Sequence, residues 1–336
     1  MNNSIFFPPE WHQQKCVQLT WPHKKTDFTE LFDEVVSCFV HIACEIAKRQ
    51  QVLIVCENKM DVLQAIPVLY HDAISCVELP VNDVWARDHG GISVYIDKKI
   101  FIYDFAFNGW GHKYPADKDT RITASLYEKN VFPDKSYRDM NAVVLEGGSI
   151  DTNGAGVLLT TSRCLLDKQR NPTFSQDEYE QFFAHYFGIH TVLWLNHGYL
   201  AGDDTDGHID TLARFVDEST IVYVSCDNPR DEHYVELKKM EAELRSFQNQ
   251  TGEPFRLVPL PMPDACIFQG ERKPATYANF LIINNAVLVP TYNCMQDAKV
   301  LQLFRNLFPQ REIVGVDSSV LITQNGSLHC VSMQYY

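Results

Sequence analysis

Residues 141–195 read NAVVLEGGSIDTNGAGVLLTTSRCLLDKQRNPTFSQDEYEQFFAHYFGIHTVLWL. Two strand-like runs, NAVVLEGGSI and AGVLLTT, flank DTNG, a hairpin turn signal. SQDEYEQFFAHYFG then reads as a helix: Ser175 with Glu178 makes a capping box, and Gly188 is a C-terminal stop. TVLWL follows as a short buried strand. The order of elements is strand, strand, helix, strand.

Two further stretches keep that order. HIDTLARFV, TIVYVSC, the helical run DEHYVELKKMEAELRSFQNQTG and FRLVPLP make one. NFLIIN, AVLVPTY, the amphipathic MQDAKVLQLFRNLFP and EIVGVD make the other. The three helices start near residues 175, 231 and 295, which is a repeat of 56 and then 64 residues. A weaker copy runs GISVYID, KKIFIYDF, a helix around DKDTRITASLYEKN and a poor strand near KSYRDM. A fifth is split between the termini. SLHCVSM is expected to pair with VQLTWP, followed by the helix of TDFTELFDEVVSCFVHIACEIAK, with Asp27 and Glu30 as its start signal, and the strand QVLIVC. KMDVLQAIPVLYHDAISCVELP is an extra helix and strand outside the scheme. Five ββαβ units that close into a ring predict a single α/β domain over residues 1–336, with the two terminal strands side by side.

Composition narrows the function. The 336 residues are 45% apolar and 21% charged, ordinary for a globular protein with a large core. A formal net charge of −14 argues against nucleic acid as a partner and suits a cationic substrate. Ten cysteines are scattered from Cys16 to Cys330 without a CxxC, which predicts free thiols in a reducing compartment. MNNSIFFPPEW lacks a basic region followed by an apolar one, and no apolar run approaches the roughly 20 residues of a membrane span. The expected location is cytoplasmic, away from membranes. Self-association is left open.

Four polar clusters break the strand pattern: NDVWARDHGG, EGG, DDTDGHID and NGSLHC. All occupy one place in their unit, in or at the entrance to the first strand of a hairpin. Rotation about a common axis would bring equivalent positions together. Asp88, Glu146, His208, Asp210 and Cys330 are therefore expected to meet. A cysteine attacks as its thiolate, and a histidine with a carboxylate partner is a general acid and base. Two further carboxylates facing each other would bind a flat cation. A guanidinium presents five N–H donors in a fork that suits bidentate carboxylates. Asp88 and Asp210 would each take one edge and turn the central carbon towards the sulfur.

The stretches NDVWARDHGG, LEGGSIDTNGAGVLLTTSRCLLDKQRNP, GDDTDGHID and NGSLHC resemble the motifs of the agmatine deiminase (agmatine iminohydrolase) and bacterial-type peptidyl-arginine deiminase family. That family belongs to the guanidine-modifying pentein superfamily, whose fold is a five-bladed α/β propeller of ββαβ repeats around a pseudo-five-fold axis. YANFLIINNAVLVPTYNCMQDAKVLQLFRNLFPQREIVGVD extends the resemblance, so it runs from PPEW to the terminal strand. By that resemblance Cys330 is the nucleophile, His208 the acid-base histidine, and Asp88 and Asp210 the guanidinium-binding acids, while Glu146 partners the histidine. Trp85, Trp110 and Asp204 match positions near the substrate. The implied reaction turns agmatine into N-carbamoylputrescine and ammonia through an S-amidino cysteine, without metal or organic cofactor, and serves putrescine and polyamine biosynthesis.

Asp151 replaces the histidine that many relatives carry, and Asp206 is a second added acid. These two are expected either near the amine end of the substrate or on the rim. Two alternatives stand beside agmatine hydrolysis. One is a deiminase of arginine or peptidyl-arginine, which would need donors for a carboxylate or backbone. The other is a catalytically inactive guanidine-binding protein. Cys164 and Cys294 are read as structural loop cysteines. His329, adjacent to Cys330 on a strand-like run, is expected to point away from the site, because successive strand residues face opposite sides.

Overall fold

The computed structural model describes residues 4–132 and 136–336. The first three residues of MNNSIFFPPEW and Lys135 of KSYRDM lie outside the described residues.

Among the described residues, five sheets share one design, a hairpin followed by a parallel third strand; three have just these strands and two carry a fourth. Within residues 141–195, Ile150–Thr152 pairs antiparallel with Val157–Thr161, and Thr191–Leu195 lies parallel to the latter. The helix between them, Gln176–Phe187, starts at the Ser175/Glu178 capping box and stops at Gly188, whose φ of 68° only a residue without Cβ adopts cheaply. The same order recurs in Ala213–Phe215, Thr220–Ser225, the helix Tyr234–Ser246 and Arg256–Pro261. It recurs again in Leu281–Ile283, Ala286–Thr291, the helix Gln296–Leu307 and Glu312–Asp317. The weak copy is Ile92–Ile96, Lys99–Ala106, the short helix Ile122–Glu128 and Tyr137–Val144.

The split unit forms, but only Ser332 and Met333 of SLHCVSM belong to its closing strand. Ser332–Tyr335 pairs antiparallel with Cys16–Thr20, placing Tyr335 opposite Cys16, and Gln51–Cys56 runs parallel on the other side. The helix of this unit, Phe32–Ala47, begins later than Asp27 and Glu30 indicate. A 3₁₀ turn over Thr29–Leu31 precedes it, no side chain caps it, and Asp27 lines a cavity instead. The extra segment adds Ile74–Glu78 as an outer parallel strand beside Gln51–Cys56, and Ile5–Phe6 pairs antiparallel with Ile92–Ile96.

Two strand readings need correction. NAVV is not the first strand of its own hairpin. It completes Tyr137–Val144, the third strand of the preceding sheet, and the hairpin starts only at Ile150, after EGG. HIDTLARFV is strand only over Ala213–Phe215, because Ile209–Thr211 closes a 3₁₀ turn. In both places the hydrophobic run continues while the backbone turns to aim a polar side chain inward.

Successive strand residues point to opposite faces, and here the two faces feed different cores. Val157 and Leu159 pack in one cluster and Leu158 in another; Val52 and Ile54 are likewise divided from Leu53 and Val55. Ala286 and Leu288 are divided from Val287 and Val289 in the same way, whereas Ile221–Val224 and Ile102–Tyr103 each pack within a single cluster, so three of the five sheets share their side chains between two cores. The helix of one unit also meets the outer strand of the last: Tyr234–Ser246 on Thr191–Leu195, Gln296–Leu307 on Arg256–Pro261, and Phe32–Ala47 on Glu312–Asp317. Contacts between Ser332–Tyr335 and Ile92–Ile96, and between Gln176–Phe187 and Ile5–Phe6, complete the cycle. Among the described residues, no helix is long and apolar enough to cross a membrane.

Candidate active site

Gly148 marks the point where the polar clusters meet. A methyl group on its Cα would lie 2.6 Å from His208 Nδ1, 2.8 Å from Asp88 Oδ1 and 3.1 Å from Asp210 Oδ2. Gly147 would likewise meet the Arg87 carbonyl oxygen at 2.3 Å. The tripeptide EGG is therefore a close-approach device. Gly147–Ser149 forms a 3₁₀ turn, and Glu146 before it is buried.

Each of the five expected residues comes from a short irregular segment ahead of a strand. Asp88 lies on the one-turn helix Ala86–His89. His208 precedes the 3₁₀ turn that carries Asp210. Cys330 sits in the turn just before Ser332–Tyr335. All five are buried, with Cys330 the most exposed at 7%.

His208 Nε2 lies 3.0 Å from Glu146 Oε2, and its Nδ1 lies 3.6 Å from Asp88 Oδ1. Burial opposes a charged ring, but Asp88, Cys164 and Glu146 outweigh it and raise the pKa of His208 well above the ordinary range. Asp88 accepts from the Gly148 amide at 3.0 Å and from the Trp110 indole N–H at 2.9 Å. Burial, with Asp210 and Glu146 nearby, pushes its pKa up to about 6. Trp110 makes its bond from a left-handed backbone, φ 55°, a conformation that L residues seldom hold without a compensating contact. Asp210 stays ionised more readily: burial opposes this, but its hydrogen bond with His329 lowers its pKa. Its Oδ1 is buried and has no hydrogen-bond partner among the described residues.

The Cys330 thiol donates to Asn279 Oδ1 at 3.3 Å and stands 4.0 Å from Asp210 Oδ2. Burial, then the charges of Asp210 and Asp88, raise its pKa well above that of a free thiol. Cys330 and Asp88 face a cavity of about 260 Å³, walled by Trp85 and Trp110 and reached by Asp27, Asp83, Asp119 and Asp204. Trp85 packs closely against Gly326, where a methyl would lie 2.0 Å from the ring. Asp204 accepts from Tyr114 Oη at 2.9 Å and Asn325 Nδ2 at 3.0 Å.

Several readings change. His329 does not point away from the site. Residues 328–331 form a turn, so strand alternation does not apply, and His329 Nδ1 lies 2.7 Å from Asp210 Oδ2. Cys164 is buried with its thiol 3.7 Å from Glu146 Oε2. Cys294 touches the Tyr277 hydroxyl, away from the cavity. Asp151 is paired with Arg214 and accepts from the Phe215 amide, so it reaches neither the rim nor the cavity. Asp206 is tied to Arg170 at 2.8 Å and Lys113 at 2.7 Å.

Three contributors had no assignment from the sequence. Arg170 clamps both oxygens of Glu146, at 3.0 and 2.8 Å. Asn279 holds the amides of His329 and Cys330 through one carbonyl oxygen. Glu10 reaches His329. Each lies in a quoted stretch (KQRNP, YANF, PPEW), but nothing in those short strings says what the side chain faces. Glu146, Cys164 and His208 also place three ligand-type atoms within 4.8 Å of one another. The positive charge at Glu146 is supplied by Arg170.

Comparison with known proteins identifies the family. The model of the Porphyromonas-type peptidyl-arginine deiminases matches residues 6–335. A Porphyromonas gingivalis protein provisionally assigned as an arginine deiminase is 50% identical, with a TM-score of 0.95 over 99% of this chain and 98% of that one. The agmatine deiminase of C. jejuni, solved with substrate bound as a variant in which a serine replaces one cysteine, is 35% identical, with a TM-score of 0.92 over 100% and 97% of the two chains. The agmatine deiminase of Ectopseudomonas mendocina is 28% identical over 99% of this chain and 95% of its own. The chain belongs to the Porphyromonas-type peptidyl-arginine deiminase family, guanidine-modifying hydrolases that act on the C–N bonds of amidines.

Proposed function

We propose that this protein hydrolyses agmatine to N-carbamoylputrescine and ammonia, a step towards putrescine and polyamines. The observation that carries the reading is the meeting of two buried carboxylates, Asp88 and Asp210, at the Cys330 thiol: Asp210 Oδ2 lies 4.0 Å from the sulfur and its Oδ1 has no partner among the described residues, while Asp88 and Cys330 face a cavity lined with acids. A guanidinium between the two aspartates would satisfy the orphaned oxygen and present its carbon to the sulfur. Asp204, Asp83 and Asp119 suit the ammonium at the other end of the substrate. Burial, with Asp27 beside it, pushes Asp83 up to about 8, and burial pushes Asp119 up to about 7, so an arriving cation would draw both towards ionisation.

Without substrate, Asp210 and Asp88 hold Cys330 as a thiol. The guanidinium offsets both charges, and as the cation settles the Cys330 thiol loses its proton to solvent and becomes the thiolate. The thiolate then attacks the central carbon, forming a C–S bond. His208, already charged, donates a proton to the departing nitrogen, and ammonia leaves. The resulting S-amidino cysteine is attacked by water, whose proton His208 takes up. The ureido product leaves and the thiolate is restored. Glu146, held by Arg170, keeps the His208 ring in place. No cofactor enters these steps.

Cys330 comes from the terminal unit, Asp88 and Glu146 from segments before two others, and His208 and Asp210 from a fourth. We therefore read the 336 residues as one catalytic unit. All ten cysteines are unpaired, as a reducing cytoplasm would leave them.

The test offers the purified protein agmatine, arginine and an arginine-containing peptide in parallel and measures ammonia. Agmatine is expected to be turned over best. Turnover of arginine or the peptide but not agmatine would replace the substrate assignment. No turnover of any of the three would favour a guanidine-binding role.

A further inference from the structure

Behind Asp210 lies a second buried charged cluster that takes no part in the steps above. His329 Nδ1 lies 2.7 Å from Asp210 Oδ2, and its Nε2 lies 2.7 Å from Glu10 Oε2. Two hydrogen bonds among these three groups need two protons, one on each side of the ring. Glu10 is itself firmly held. Its Oε2 also accepts from Arg214 Nη2 at 2.7 Å, and its Oε1 accepts from the Ile282 amide at 2.5 Å. Arg214 is fully buried, stacks 4.8 Å over the Phe280 ring and reaches Asp151 Oδ1 at 3.3 Å.

This cluster repeats the plan of the reactive side. Glu146 stands to His208 and Asp88 as Glu10 stands to His329 and Asp210, and Arg170 braces the first glutamate as Arg214 braces the second. The distances separate their uses. His208 has a loose contact of 3.6 Å on one side, whereas His329 is held at 2.7 Å on both. A ring that must exchange protons with a substrate needs a face that is not already taken. A ring that must hold a neighbour still does not.

The consequence falls on Asp210. His329 holds Oδ2, while Oδ1 has no partner among the described residues. A carboxylate fixed through one oxygen presents the other at a defined angle. We propose that Glu10 and His329 form a positioning relay, in which Glu10 fixes His329 and His329 fixes Asp210 with its free oxygen turned to the guanidinium. The relay rests on the guanidine reading of the site. Neither residue touches the substrate. Glu10, at the start of the chain, therefore sets the affinity for a cation bound at its end.

The experiment compares Cys330 labelling by 2-chloroacetamidine, a flat cation, with labelling by chloroacetamide, its uncharged counterpart. Labelling is read on the Cys330 peptide by mass spectrometry. Both probes need the thiolate, and the amidine also promotes it by its charge as the guanidinium does, so their rate ratio reads how well the site holds a flat cation. The wild-type protein is expected to prefer the amidine. Glu10→Gln and His329→Gln should each lower that preference about tenfold, as for a lost hydrogen bond to a charged group. In an Asp210→Asn background, adding Glu10→Gln should change nothing further, because the relay acts only through Asp210. An unchanged ratio in the single variants, or a full second loss in the double variant, overturns the relay while the wild-type preference keeps the guanidine reading. Absence of any preference in the wild type removes the guanidine reading and the relay with it. Thermal melting follows folding throughout, and His329→Gln decides alone should Glu10→Gln fail to fold.

Discussion

His208 and His329 each bridge a glutamate and an aspartate, and each glutamate is backed by a buried arginine. One histidine has room to move a proton; the other is clamped on both sides. The difference of about an ångström at Nδ1 is small beside the likeness of the two clusters. It matters because proton transfer needs an open partner position, whereas positioning needs none. Similar residue sets in one protein can thus be given different tasks by spacing alone.

The largest test removes the frame that both histidines share. Deleting residues 332–336 leaves His329 and Cys330 in the chain but takes away the strand that pairs with Cys16–Thr20, together with Tyr335 Oη and its bond to Gln18. Cooperative thermal unfolding should be lost, along with all activity. If the shortened chain melts like the parent, the closing strand is not what holds the two clusters in register.

Next comes the sulfur between them. Cys330→Ala should lower ammonia release from agmatine by at least about 10⁴-fold, on the scale seen when a nucleophile is removed. Binding of agmatine, followed by calorimetry, should persist. Full activity in this variant would exclude the covalent route.

The histidine comparison itself is tested by paired substitutions. His208→Gln should reduce kcat by about 10²- to 10⁴-fold, as for a lost general acid and base. His329→Gln should instead raise KM about tenfold, the cost of a mis-set hydrogen bond to a charge. Equal losses in kcat would erase the division of labour drawn here.

The two aspartates respond differently to acid. The pKa of Asp88 is raised to about 6 and that of Asp210 is lowered, by causes that include His329. As pH falls through about 6, Asp88 takes up a proton and its grip on the guanidinium weakens. kcat/KM should then fall by about tenfold per pH unit below that value. The sign for stability is the reverse. A carboxyl whose folded pKa is raised destabilises the fold when ionised, so this penalty is present above pH 6 and shrinks as pH falls towards the ordinary value of 3.8. Asp88→Asn should therefore melt higher than wild type at pH 8, with the advantage fading in acid. An acid limb near pH 4, or a less stable Asp88→Asn, would contradict the assignment.

The smallest effect belongs to the tryptophan that braces Asp88. Trp110→Phe deletes one N–H donor at 2.9 Å and keeps the cavity wall. KM should rise by about five- to tenfold, with kcat nearly unchanged. A change in kcat alone would mean that Trp110 acts on the chemistry rather than on the anchor.

Much of the frame could be read from local pattern. Ser175, Glu178 and Gly188 bound a helix by their own side-chain and backbone chemistry, so the capping box and the left-handed stop appear where the letters place them. The pairing of SLHCVSM with VQLTWP followed from counting units, since a ring of repeats leaves one hairpin to be made from the two ends. The errors cluster where a strand-like string turns. EGG and HIDT continue apolar runs, yet Gly148 is needed for the convergence of three side chains that come from other parts of the chain. Nothing local announces that.

By itself the sequence determined the order of elements, the split unit and the five polar residues that the units bring together. Those depend on periodicity, capping and position within a repeat, which are properties of short segments. The tertiary structure alone decided the partners: Arg170 on Glu146, Asn279 under Cys330, Asp151 drawn to Arg214, and His329 turned inwards between Glu10 and Asp210. Those depend on which buried charges find a counter-charge within about 3 Å, because an unpaired one in the interior would cost several kcal/mol. Such choices join positions from 24 residues apart, as Glu146 and Arg170 are, to 319 apart, as Glu10 and His329 are, and only the closed fold makes them.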